Sequence, residues 1–173
     1  MKRKSLLLTG MALLFSMATM AQRFALIDME YILSNIPAYE MTNEKLSQLS
    51  KKWQSEIETL QEEEQNMYKS FQSDLVFLSA EMKSKREEAI VLKGLEAMEL
   101  KRRYFGADGE LYQKRASLMK PIQDEIYEAV KAIAEDKGFQ AIVDRASAMM
   151  TIIYASPQID ISDAVLVKLG YSK

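Results

Sequence analysis

The stretch 39–137 holds one proline and three glycines in about a hundred residues. A segment so poor in helix breakers is confined to long helices. Tyr39, Leu46, Leu49, Trp53, Ile57, Leu60, Met67, Phe71, Leu75 and Leu78 recur on a mixed three-and-four spacing. That spacing places one apolar stripe along one side of a helix. The stripe is interrupted where Thr42 and Glu64 stand in place of apolar residues. Lysines and glutamates fill the positions between. A helix with so narrow a stripe is marginal alone and requires a partner helix.

The next segment supplies that partner. Ser79 is a good N-cap, because its hydroxyl can accept from an orphan amide of the first turn, and Glu81 follows at the positive helix end. A second stripe then runs through Val91, Leu95, Met98, Phe105, Tyr112, Ala116, Met119, Ile122, Ile126, Val130 and Ile133. A very short link between two long helices favours antiparallel neighbours, so the tip of a hairpin is expected at 78–80. Counted from Met29, the outgoing arm has about 50 residues and the return arm, 80–137, about 58. At 1.5 Å per residue each arm would extend about 75 to 85 Å. Two places in the return arm disturb it: Gly106 and Gly109, and Pro121. Because the stripe continues through both, they are read as bends in one continuous arm, and as candidate hinges.

The two ends of the chain read differently. Lys2, Arg3 and Lys4 precede a mostly apolar run, and Thr19-Met20-Ala21 offers small residues where a signal peptidase reads. Residues 1–21 are therefore expected to be a secretory signal cut after Ala21. Residues 22–38 supply an apolar strand, Arg23-Phe24-Ala25-Leu26-Ile27-Asp28, and a short helix with Met29, Ile32, Leu33 and Ile36. Pro37 can open the following helix as its first-turn residue. Lys137-Gly138 is a helix stop. Residues 138–173 then give a strand at 139–144, a second strand at 149–155 rich in β-branched residues, and a last helix entered through Asp160-Ile161-Ser162-Asp163 and closed by Gly170. The fold class is thus α+β and mostly α: a long antiparallel helical hairpin, tentacle-like, on a small body of strands. A body of about 50 residues buries little core alone and gains by association. Phe24, Leu26, Ile27, Ile142, Val143, Ile152, Ile153 and Tyr154 are the candidate residues of an oligomerising body.

The chemistry the chain lacks narrows its function. It has no histidine and no cysteine, the commonest bases, nucleophiles and soft metal ligands. No catalytic, cofactor or metal site is assigned. Consecutive side chains on a helix diverge by about 100°, so Glu62-Glu63-Glu64 reads as a solvated face. There are 23 basic and 25 acidic residues. Without Lys2, Arg3 and Lys4 the chain stands near −5, which argues against nucleic acid as a partner. The cluster Lys83, Lys85 and Arg86 past the tip is flanked by Glu81, Glu87 and Glu88 and reads as a mixed-charge face. Methionines and aromatics on the outer hairpin suit promiscuous contact. Met67, Phe71, Phe77, Met82, Met98, Tyr104 and Tyr112 are candidates for binding a client; the alternative, that they close the seam between helices, stays open.

This order of elements resembles the Skp/OmpH family of periplasmic chaperones. The resemblance is carried by Phe24-Ala25-Leu26-Ile27-Asp28-Met29-Glu30-Tyr31-Ile32-Leu33, by Leu78-Ser79, and by Gly109-Glu110-Leu111-Tyr112-Gln113-Lys114-Arg115. Leu118-Met119-Lys120-Pro121-Ile122-Gln123, Gly138-Phe139 before Ile142-Val143-Asp144, and Asp160-Ile161-Ser162-Asp163-Ala164-Val165-Leu166 complete it. It implies a homotrimer with a small β-barrel body and three hairpins around a cavity. It also implies ATP-independent holding of unfolded outer-membrane proteins in the periplasm. Well-known members are strongly basic, whereas this chain is acidic, which weighs against attraction to anionic lipid or lipopolysaccharide. The reading from another functional class is an envelope spacer, a coiled coil that links layers and holds no client. A spacer predicts a well-packed seam with no apolar side chains left over.

Overall fold

The computed structural model describes residues 23–147 and 152–171. The expected signal segment lies outside them. The elements are β1 (Phe24–Ile27), α1 (Met29–Ser34), α2 (Pro37–Asp74), α3 (Ala80–Phe105), α4 (Glu110–Lys137), β2 (Ala141–Asp144), a 3-10 turn (Pro157–Ile159) and α5 (Ser162–Lys168). They divide into two compact units, one of 36–124 and one built from both ends of the chain.

In the first unit, α2 and α3 form the expected antiparallel hairpin. Pro37 stands in the first turn of α2, where its missing N–H costs nothing. α2 ends at Asp74, and 75–79 make the reversal. The Ser79 hydroxyl accepts from the Met82 amide at 3.3 Å and starts α3 as anticipated. The outgoing arm is shorter than expected. α2 has 38 residues, roughly 57 Å at 1.5 Å each, because the chain leaves helical geometry between α1 and Pro37.

Leu46, Trp53, Ile57 and Phe71 of α2 are buried, as its stripe required. The α3 stripe does not follow. Val91, Leu95 and Met98 are exposed, and α3 buries Ala97 and Tyr104 instead. An aromatic cluster fixes this rotation. Tyr104 stacks on Trp53 at 4.5 Å between ring centroids with planes 8° apart, and Phe105 meets both rings edge-on at 6.4 Å. Farther along, Gly94 faces Glu64: a β-carbon there would lie 2.8 Å from the Glu64 carboxylate. The glutamate that interrupts the α2 stripe is thus accommodated by a residue without a side chain.

The return arm is not continuous. α3 ends at Phe105 and α4 begins at Glu110, so 106–109 form a break rather than a bend in one helix. Backbone crowding maintains it. A β-carbon on Gly109 would stand 2.8 Å from both the Gly106 nitrogen and the Tyr104 carbonyl oxygen, and one on Gly106 would be 2.4 Å from the Arg102 carbonyl. α4, by contrast, runs through Pro121.

In the second unit, β1 and β2 pair in parallel, from Phe24 opposite Ala141 to Ile27 opposite Asp144. Gly138, at φ 68°, terminates α4 and turns the chain into β2. On its other edge β1 bridges to Asp160, and the Ile161 amide donates to the Leu26 carbonyl at 2.9 Å. The strand expected at 149–155 does not form over 152–155, and the edge of β1 away from β2 is bridged by Asp160 instead; 149–151 lie outside the described residues. A polar latch joins the ends of the chain. Asp28 caps α1 by accepting from the Tyr31 amide at 2.9 Å, and its other oxygen accepts from Arg145 at 3.0 Å. Arg145 also reaches Asp160 at 3.2 Å. The buried Ser162 hydroxyl donates to Asp160 at 2.6 Å and accepts from the Asp28 amide at 2.8 Å.

Candidate functional surface

The described residues hold no acidic, histidine or cysteine cluster suited to a metal. No described helix is long and apolar enough to cross a membrane. The clefts have mixed polar linings. One of about 700 Å³ at the α3–α4 break is bordered by Glu99, Arg102, Arg103, Asp108 and Glu110. Several of the hairpin's polar groups pair with each other. Tyr104 Oη donates to Glu56 at 2.7 Å and accepts from Arg103 at 3.0 Å. The bond to the Glu56 carboxylate, with partial burial, holds the phenol pKa above its ordinary value, and the bond to Tyr104 raises that of Arg103. Lys93 bridges Glu96 and Glu63 at 3.0 and 3.1 Å, and these hydrogen bonds raise its pKa. Arg86 pairs with Asp74 at 2.7 Å, which ties part of the basic cluster near the tip to the opposite helix.

The hairpin also leaves large apolar side chains exposed. Of the seven residues expected to contact a client, Phe71 and Tyr104 are closed into the seam and Met67 is half-buried. Phe77, Met82, Met98 and Tyr112 are exposed, Phe77 by 84 %. Beside Phe77, Val76 is 81 % exposed, and along α3 so are Val91, Leu92 and Leu95 by more than half. Sequence reasoning missed these as surface residues because Val91 and Leu95 fitted a seam. In the other unit Leu26 and Ile27 are buried and Ile142, Val143 and Ile152 half-buried, whereas Phe24, Ile153 and Tyr154 face outward, Ile153 by 98 %. Of the expected hinge residues, Gly106 and Gly109 lie in the break and Pro121 within α4.

The family model described as outer membrane protein (OmpH-like) matches residues 23–169. The chain belongs to the OmpH-like family. The chaperone protein Skp of Yersinia enterocolitica is similar over 159 residues at 28 % identity, which spans 91 % of this chain and 92 % of that one. A solved OmpH-like chain from Caulobacter crescentus CB15 superposes with a TM-score of 0.70 at 12 % identity, covering 84 % of this chain and 82 % of that one. The latter likeness is one of fold. The long helical hairpin and small strand pair are therefore the OmpH-like fold, and the chain sits in a family of chaperones.

Proposed function

We propose that this OmpH-like chain is a holdase that keeps unfolded outer-membrane proteins from aggregating, works without ATP, and acts in the periplasm after removal of residues 1–21. One observation carries the reading. The hairpin closes its own seam and still leaves large apolar side chains outside it, at Val76 and Phe77 in the reversal and along α3. A spacer needs no such surplus, and an exposed apolar surface on a folded chain has a use. Unfolded barrel proteins expose alternating apolar strands and unpaired edges. Many weak contacts would retain such a chain and still release it.

The same reading takes the working form to be a homotrimer. Supporting it, β2 has no strand on its outer edge among the described residues, and Phe24, Ile153 and Tyr154 are apolar and exposed. An open edge beside apolar surface invites pairing with another chain. The break at 106–109 would let the hairpin adapt to clients of different size.

Diluting a denatured outer-membrane protein from urea into buffer, with and without this protein, tests the proposal. Scattering should fall to near background at stoichiometric excess. Unchanged turbidity would leave the spacer as the better reading.

A further inference from the structure

Helix α3 has two apolar faces. Counting about 100° per residue around its axis, the residues turned to α2 (Ile90, Ala97, Leu100 and Tyr104) centre on one direction, and Val91, Leu92, Leu95 and Met98 centre roughly 180° away. The first set is buried or half-buried, and the second is 53 to 69 % exposed. The regular spacing of Val91, Leu95 and Met98 thus marks a surface rather than a seam.

We infer that the outer face of α3, Val91-Leu92-Leu95-Met98, is a contact strip for an extended apolar stretch of unfolded polypeptide. This rests on the proposed holdase function and locates where it is exercised. Three features select that occupant over another copy of the chain. The strip is one heptad long, since Ser84 and Glu88 end it on one side and Arg102 on the other, whereas the apolar seam that marks a coiled coil is sustained over three to four heptads. Four half-exposed side chains offer roughly 300–400 Å², well short of the ~800 Å² per partner of a stable protein interface. The strip also rises about 10 Å from Val91 to Met98, the reach of three to four residues of extended chain at about 3.3 Å each. A strand of an unfolded barrel protein turns alternate apolar side chains to one side, so two can seat on the strip at once. A helix face offers no free backbone groups to such a strand, so contact is through side chains alone and release is unhindered.

The test compares the unsubstituted protein with an L95Q/M98Q variant and with M41Q, which alters a methionine on α2 that is exposed by 64 %. All three are assayed as full chains by scattering of a diluted, denatured outer-membrane protein. The concentration of L95Q/M98Q that halves scattering should rise roughly three- to tenfold, with helix content and subunit mass unchanged and M41Q equal to the parent. A photo-crosslinking residue at Leu92 should trap the client, and one at Gln48 should not. Full suppression by L95Q/M98Q, or no trapping at Leu92, overturns the inference and leaves the holdase standing. A lower assembly mass for L95Q/M98Q also overturns it, because the strip would then lie between copies. No suppression by the parent protein overturns the holdase and the inference together.

Discussion

Tyr104 fixes the rotation of α3, and its removal should loosen the hairpin by a predictable amount. Its ring is buried and stacked on Trp53, with Ile57 in the same cluster and Leu49, Leu100, Phe105 and Leu111 packed around it. Truncation of a buried aromatic to alanine costs about 3–5 kcal/mol through lost transfer energy and the cavity left behind. The stack itself adds about 1 kcal/mol. Because the ring edge touches polar groups, the lower end applies, and Tyr104→Ala should cost about 3 kcal/mol. Tyr104→Phe keeps the ring and loses only the hydroxyl's bonds to Glu56 and Arg103. Both partners are part-exposed and water can replace the bonds, so the cost should be about 1 kcal/mol or less. Trp53 is the sole tryptophan, so its fluorescence reports this unit. With a urea m-value of about 2 kcal/mol per molar, the midpoint should fall by roughly 1.5 M for Tyr104→Ala and by at most about 0.5 M for Tyr104→Phe. Equal shifts for the two would show that the hydroxyl network, not the stack, holds α3. No shift for either would refute the packing argument.

Gly94→Ala should raise stability by up to ~1 kcal/mol in thermal unfolding, because only the flexible end of Glu64 must move and alanine favours helix. Gly109→Ala should lower it, since rigid backbone occupies the β-carbon position; a Tm at or above the parent's would contradict this. Ser162→Ala should destabilise the strand unit by about 1–2 kcal/mol by leaving the Asp28 amide unpartnered, seen as faster hydrogen exchange at that amide. The Asp28 pKa lies below its ordinary 3.8, first because its carboxylate accepts from the Tyr31 amide and further because of Arg145. Its stabilising contribution is therefore complete above about pH 5 and fades as pH falls through 3.8 toward the lower folded value. Asp28→Asn should remove that part of the acid-sensitivity, and an unchanged acid transition would contradict the assignment.

Several features were legible because their causes are local. Pro37, Ser79 and Gly138 act through their own backbone and nearest turn, so helix starts and stops could be read from them. The rotation of α3 was not legible. Its two apolar faces have equal claims by periodicity, and the choice is made by a distant partner, Trp53, on which Tyr104 stacks. The break at 106–109 was hidden because the apolar pattern continues across it. Strand propensity also does not encode that Asp160, and not the segment 152–155, bridges to the second edge of β1. The candidate client-contact residues were only half legible for the same reason as α3: Phe71 and Tyr104 have the right chemistry, but packing takes them.

The proposed holdase is an assembly that holds an unfolded chain by apolar surface it does not need for its own folding. The mass in solution of the purified protein lacking residues 1–21, alone and after mixing with a denatured outer-membrane protein, tests this most directly. Three copies alone, and three copies plus one soluble client, is the predicted result. A single chain that sediments by itself while the client precipitates would contradict it.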